Sequence, residues 1–284
     1  MTPRVRLFAD RDYAAFVRIK RLAEQRDISV ALAREQDGRW DHSRYEQVRI
    51  VAVDEEDAPL GYGEIYHEPS RFDPRRYFVR LAVDPRLRRQ GIGAAMWTQL
   101  RAELDERSAK IACLWADDGT ACREFIVRRG FVEVVRSFEQ VLALARAPLP
   151  LAAAAKAVSE RGIRVETLTE LRARQGDESL GRIHELYTAS RIDQPTLGTV
   201  TARPFEEWRR EVFDELRILI TGVLPEYRRQ GIARLLKLRV HAWARAHGYR
   251  EIHTSTANVA VVALNTALGY AIVGSWGGYE LAIR

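Results

Sequence analysis

The chain has 284 residues, 46% of them hydrophobic and 30% charged, the balance of a globular protein long enough for two domains with separate cores. Its formal charge of +6 is almost all arginine, interleaved with acids along expected helices such as FEEWRREVFDELR, which describes solvated faces and not a nucleic-acid surface. No apolar run approaches the roughly 18 residues of a membrane span, and the opening MTPRVRLFADRD lacks the apolar centre of a secretory leader, so a cytoplasmic protein is expected. Cys113 and Cys122 make neither a disulfide framework nor a zinc site, and Cys113, within IACLWA, reads as a buried structural thiol. The histidines show no ligand pair, His241 and His247 falling on different helix faces, so no metal is expected.

In chain order, a first strand is expected at Val5–Phe8, then a hairpin formed by QVRIVAV, the turn DEEDAPLG and GYGEIYH. A strand at Phe78–Val83 leads through Asp84-Pro85 into GIGAAMWTQLRAEL, whose apolar residues recur at three and four positions as in a helix. A strand at Ile111–Trp115 and a helix ending at Gly130-Phe131 follow, then the strand-like VEVVRSFEQVLAL.

Two prolines next introduce an Ala-rich helix stopped by Gly162, and the expected division falls near residue 148, giving domains 1–148 and 149–284. The order then recurs. A strand at Ile163–Leu168 matches Val5–Phe8, and Arg217–Val223 matches Phe78–Val83. Leu224-Pro225 opens a turn, GIARLLKLRVHAWARAHG a helix, Glu251–Thr256 a strand, and a further helix ends at Gly269-Tyr270 before YAIVGSWGGYELAI. The pentapeptide RRQGI stands at the same place in both halves, at Arg88–Ile92 and Arg228–Ile232. From its glycine to the Gly-aromatic pair the interval is 39 residues in one half and 38 in the other, which identifies a tandem duplication. One difference is plain: the helix FEEWRREVF runs almost directly into ELRILITGV, leaving no room for a second hairpin.

A strand, a tight turn of Arg and Gly residues and a helix start form an anion cradle, because the first helical N–H groups lack acceptors and carry the positive end of the macrodipole. Gly91 and Gly93 are expected to let backbone approach a phosphate, with Ala233 the second-half counterpart of Gly93, while the flanking arginines add charge. There is no Gly-Lys-Ser/Thr, and no third glycine with a ribose-binding acid, so neither a triphosphate loop nor a dinucleotide fingerprint is present.

With these residues, Arg88-Arg-Gln-Gly91-Ile-Gly93 and Arg228-Arg-Gln-Gly231-Ile-Ala233, the chain resembles the GNAT superfamily of acyl-CoA-dependent N-acyltransferases, in two copies spanning essentially its whole length. Thr254-x-Thr-x-Asn258, Ala263-Leu264-Asn265 and Leu268-Gly269-Tyr270 add to the resemblance. It implies an α/β fold of two tandem domains, each a mixed, centrally splayed sheet with helices on both faces; from its own sequence the second domain lacks an evident hairpin. It also implies that acetyl-CoA is held in the first half by Leu81, Ala82 and Val83 with Arg88, Arg89, Gln90, Gly91, Ile92, Gly93 and Ala94. In the second half the corresponding residues are Thr221, Gly222 and Val223 with Arg228, Arg229, Gln230, Gly231, Ile232, Ala233 and Arg234, joined by Asn258 and Asn265. The strand residues would pair with the pantetheine arm and the loop would hold the pyrophosphate.

Amine acylation needs a deprotonated amine and an acid for the leaving thiolate. Many family members use a tyrosine four residues before the Gly-aromatic pair; here those positions are Ile126 and Asn265. The first half also lacks a counterpart of Asn258, so it reads as a binder with weakened chemistry and the second half as the acetyltransferase, although the missing hairpin counts against that. Candidate catalytic residues are Glu64, His253 and Asn265, each with an ordinary alternative: a strand carboxylate, a surface histidine, and packing or capping for the asparagines. Trp208, Phe131 and Tyr270 are expected to pack. The expected reaction is N-acetylation of a primary amine on a small molecule by direct attack, in a monomer or homodimer without nucleic-acid or membrane partners. Peptide N-acetylation and a non-catalytic CoA-responsive module remain open beside it.

Overall fold

The structure is a computed structural model that describes residues 3–24, 28–117, 119–192, 194–202, 204–214 and 221–284. The chain forms two compact units, one of Met1–Ala116, Ala121–Val134 and Gly278–Arg284, the other of Asp117–Thr120 and Val135–Gly277.

The first unit opens with β1 (Arg4–Leu7), α1 (Tyr13–Glu24), α2 (Val30–Gly38), β2 (Gln47–Val53), β3 (Pro59–Tyr66) and β4 (Arg76–Val83). These four strands are consecutive antiparallel neighbours, so the hairpin lies where expected. After α3 (Ile92–Glu106) comes β5 (Ile111–Asp117), parallel to β4, then α4 (Thr120–Val127) and β6 (Val132–Ala143). Helices cover both faces. On one, Ile92, Met96, Leu100 and Leu104 recur every fourth residue along α3 and are all buried against the sheet. Gly61 and Gly63 of β3 permit that approach, since a Cβ on either would stand 2.9 Å from Met96 or Leu100. On the other face, Phe16 and Ile19 of α1 pack on Val51, Val53 and Tyr62.

The second unit adds α5 (Leu151–Ser159), α6 (Leu168–Gln175), α7 (Glu178–Ile192), α8 (Phe205–Asp214), α9 (Ile232–Ala246), β7 (Glu251–Thr256), α10 (Val259–Ala267) and β8 (Ala271–Ala282). Here β6 lies between β8 and β7, pairing with β7 antiparallel from Phe138↔Thr256 to Ala143↔Glu251. Leu142, Leu144, Leu238, Leu268 and Tyr270 form its core beneath α9. Trp208 is buried against His184 and Phe205, the packing role expected of it.

Two long strands contribute to both units: β6 from Val135 onward belongs with β7, and the end of β8 lies beside β5, where Ile283 N–H donates to Lys110 O at 2.9 Å. Two expectations are corrected. Ile163–Leu168 is not a strand. Thr167 instead caps α6, its hydroxyl accepting from Glu170 N–H while the Glu170 carboxylate accepts from Thr167 N–H, a reciprocal arrangement that starts a helix at Leu168. Finally, Thr221–Val223 is not in a strand, and residues 215–220 of the expected Arg217–Val223 strand lie outside the described residues. Among the described residues no hairpin occurs between α8 and α9.

Candidate active site

In the first unit β4 and β5 pair only at Arg76↔Ile111, Tyr77↔Ala112 and Phe78↔Cys113. Beyond this β4 keeps its ladder with β3, to Gly61↔Val83, while β5 diverges. The β5-facing edge of Val79–Val83 is thereby left without a sheet partner among the described residues, a slot for an extended ligand with its own amides. Leu81, Val83, Leu114 and Phe125 pack on the buried cluster beneath it.

At the open end β4 passes into the loop. Asp84 caps a 3-10 turn at Pro85–Leu87, Arg88 is extended, Arg89 takes φ +65°, and Gly91 caps α3 at φ +83°. The second unit repeats the backbone course: a 3-10 turn at Pro225–Tyr227, Arg228 extended, Arg229 at φ +62° and Gly231 at φ +83°. Left-handed backbone costs a residue with a Cβ about 1–2 kcal/mol. Two arginines holding it at equivalent positions mark a conformation that the turn imposes and the duplication preserved. Ala95 N–H makes the first α3 bond, to Gly91 O at 3.0 Å, as Leu235 N–H does to Gly231 O in α9, so the preceding three amides of each helix have no intrahelical acceptor. Arg88, Arg89 and Gln90 are exposed, as are Ala94, Arg228, Arg229 and Arg234, while Ile92 is buried and Ile232 half-buried. Each loop is therefore an outward-facing anion cradle.

The glycines serve different needs. A Cβ at Gly91 would meet nothing within 4 Å, so the positive φ alone selects glycine there. A Cβ at Gly93 would stand 3.3 Å from the Phe125 ring, so its smallness admits α4 packing. The second cradle is more enclosed. Val158 of α5 lies 3.6 Å from a Cβ at Gly231, and Arg161 Nη1 donates to Arg229 O at 3.5 Å. Gly222 backs onto α7 so closely that a Cβ would fall on the Ser190 side chain. Thr221 and Val223 are half-buried there, and Val223 O accepts from Arg228 Nε at 3.0 Å. Among the described residues β7, at the outer end of the sheet, pairs only with β6, and the two-strand opening described is that of the first unit.

Glu64 is buried on the α1 side of β3, its carboxylate held by Arg49 Nε at 2.9 Å and by Arg80. Arg49 in turn grips Asp37 of α2 through both terminal nitrogens, at 2.6 and 3.1 Å. Burial alone would raise the Glu64 pKa, but Arg80 and Arg49 outweigh it and hold the value near about 2. Such a carboxylate does not accept a proton at neutral pH. His253 is exposed on β7 beside Glu251 at 3.2 Å and Glu139 at 4.0 Å, a surface position. Asn258 caps α10, its Oδ1 accepting from Ala260 N–H at 3.0 Å and Val261 N–H at 3.3 Å. Asn265 is fully buried and its Nδ2 donates to Gln140 Oε1 at 2.8 Å. Ile126, the other position of the family's tyrosine, is buried in the core with Phe131. Cys113 is buried too, and desolvation together with Glu280 pushes its thiol up to about 12.

The structure thus gathers Leu81–Val83 and Arg88–Ala94 at one opening, and leaves Glu64, His253 and Asn265 in structural or surface settings. It adds Asp84, which the sequence reading passed over although Asp-Pro in the first turn faces Leu-Pro in the second. Among the described residues no cluster of ligating side chains suits a metal, and no helix is long and apolar enough to cross a membrane.

Two stretches of the chain, residues 15–131 and 161–270, match the sequence model of the acetyltransferase (GNAT) family. No curated protein matches the chain in sequence. Among solved structures, a GCN5-related N-acetyltransferase from Sphaerobacter thermophilus superposes with a TM-score of 0.68 at 14% identity, over 99% of this chain and 96% of its own. A tandem GNAT protein from the clavulanic acid biosynthesis pathway gives 0.68 at 16% identity, over 99% and 98%. A glucosamine N-acetyltransferase region of a fungal multi-domain β-N-acetylglucosaminidase gives 0.64 at 13%, over 99% of this chain and 38% of that one. At these identities the likeness is one of fold.

Proposed function

The chain belongs to the acetyltransferase (GNAT) family, and we propose on that basis that it transfers an acetyl group from acetyl-CoA to a primary amine of a small molecule, with the chemistry at the β4–β5 opening of the first unit. The observation that carries this is the conjunction of the unpaired Val79–Val83 edge with the Arg88–Ala94 cradle at its end. This reading departs from the expectation that the second half holds the acetyltransferase; Gly222 there backs onto α7, and residues 215–220 of the strand expected before it lie outside the described residues.

The residues suit the donor. The β4 edge offers amides and carbonyls to the pantetheine arm, and the cradle offers free helix amides and arginines to the pyrophosphate. Acetyl-CoA supplies an activated acyl group; the protein holds it beside the amine, and that proximity is the larger part of the rate. Direct attack is favoured over an acyl-enzyme because the Cys113 thiol is buried and pushed up to about 12. With Glu64 near about 2, the amine is drawn from its own free-base fraction.

Burial of Ile126 and Asn265 supports a second reading, a unit that binds acyl-CoA without turning it over, because neither stands in for a phenolic acid. Release of CoA thiol, followed with acetyl-CoA and a panel of small primary amines and amino-terminal peptides, separates the readings. Amine-dependent release with the small molecules is expected. Release with peptides alone would move the acceptor to polypeptides, and tight acetyl-CoA binding with no release would establish the second reading.

A further inference from the structure

The two cradles share a backbone but not what anchors it. Tyr227 N–H donates to Leu224 O at 2.9 Å just as Leu87 N–H donates to Asp84 O at 2.8 Å, so the same 3-10 turn forms in both. In the first, however, the residue before the proline carries a carboxylate that is only 1% exposed. Its Oδ1 accepts from Arg86 N–H and Arg86 Nε, both at 3.1 Å. Its Oδ2 accepts from Arg86 Nη2 at 2.8 Å and from Arg18 Nη1 of α1 at 2.6 Å. Arg18 also reaches Pro59 O at 3.3 Å, and Asp84 N–H extends the β3–β4 ladder to Leu60 O at 3.0 Å. In the second cradle the equivalent residue is Leu224, with no side-chain cap.

We infer that Asp84 is a positioning residue for acyl-CoA, latching the mouth of the first cradle to α1 and β3 through Arg18 and Arg86, a device the second copy lacks. The inference rests on the proposed function of the first opening. A buried carboxylate is retained only where its acceptors are filled, and here both oxygens are filled by groups from the loop and from the scaffold it must be held against. The arginines at 18 and 86 need no countercharge of their own, being 38% and 74% exposed. What the bonds fix is the angle at which β4 enters the turn, and hence where the amides beyond Arg88 point. Two effects of removing the charge oppose one another. Freeing two arginines would attract an anion, but exposed charges are screened and contribute little. Losing the charge that strengthens all four bonds, and the acceptor oxygen of two of them, loosens the turn, and that effect is the larger.

The test is Asp84→Asn and Arg18→Gln, each measured by acetyl-CoA titration calorimetry and by steady-state kinetics. Both variants are expected to raise the acetyl-CoA Kd and KM, by about tenfold for Asp84→Asn, with the acceptor KM and kcat nearly unchanged. Combined, they should cost less than the product of the two single effects, as residues of one network do. A loss of folded protein would instead lower apparent kcat and leave KM in place. Wild-type affinity in both variants, or tighter binding in Asp84→Asn, would overturn the latch while leaving the proposed function standing. If wild type bound no acetyl-CoA, both would fall. Should Asp84→Asn not fold, Arg18→Gln alone carries the same expectation and the same refutation.

Discussion

Phe78 on β4 pairs with Cys113 on β5, and there the parallel ladder ends. Five further residues of β4 continue beside β3 alone, so the sheet opens at one defined point and the Arg88–Ala94 loop lies at the end of the open strand. The reading of function depends on that geometry, and several consequences can be measured.

Glu64 should not act as the amine's base. With its pKa held near about 2 by Arg80 and Arg49, no inflection from this group is expected in the rate profile between about pH 5 and 9, where kcat/KM should rise with the free-amine fraction of the acceptor. A plateau set by a group lost in Glu64→Gln would show otherwise.

The same carboxylate should contribute to stability. Its folded pKa lies below the ordinary 4.5, so its contribution is full above that value and is lost as pH falls from there towards about 2. Glu64→Gln leaves Arg49 short of a buried partner and should destabilise the fold by about 3–5 kcal/mol at pH 7. Urea unfolding at pH 7 and pH 3 measures both, and the gap between wild type and variant should narrow at the lower pH.

Asn265 is expected to matter for folding and not for chemistry. Asn265→Ala removes the donor to Gln140 Oε1 in a fully buried setting and should destabilise by about 1–3 kcal/mol. Per folded molecule, turnover should match wild type. A fall in kcat with unchanged unfolding would return Asn265 to the catalytic set.

His241 lies buried in the second unit with Nε2 2.9 Å from the Tyr270 hydroxyl. Burial, then Lys237 and Arg245, push its pKa down to about 4 from an ordinary 6.5. The unfolded chain therefore takes up a proton that the folded one refuses, and stability, full above about 6.5, is lost as pH falls towards 4. Imidazole resonances followed by NMR should place the His241 midpoint near 4, and a midpoint near 6.5 would contradict the packing described.

Much of this architecture was legible because it is local. The fourfold spacing of Ile92, Met96, Leu100 and Leu104 shows the helix, and RRQGI with its proline turn shows the cradle twice. The misread strand at Ile163–Leu168 also had a local signal: Thr167-Leu-Thr-Glu170 is a capping box, and it competes with the match to Val5–Phe8 that suggested a strand. Other features are not local. That Glu64 meets Arg49 and Arg80 depends on the register of three strands, and that the end of β8 returns to β5 depends on which strand pairs with which. The backing of Gly222 onto Ser190 likewise arises only when α7 packs.

The most direct test of the central claim is acetyl-CoA calorimetry on wild type, Gly91→Glu and Gly231→Glu, each variant placing a carboxylate in one cradle. The account predicts that Gly91→Glu weakens binding by about a hundredfold or more, two factors of ten on the affinity scale, while Gly231→Glu binds as wild type does. Wild-type affinity in Gly91→Glu, with loss in Gly231→Glu, would place the donor in the second unit and contradict it.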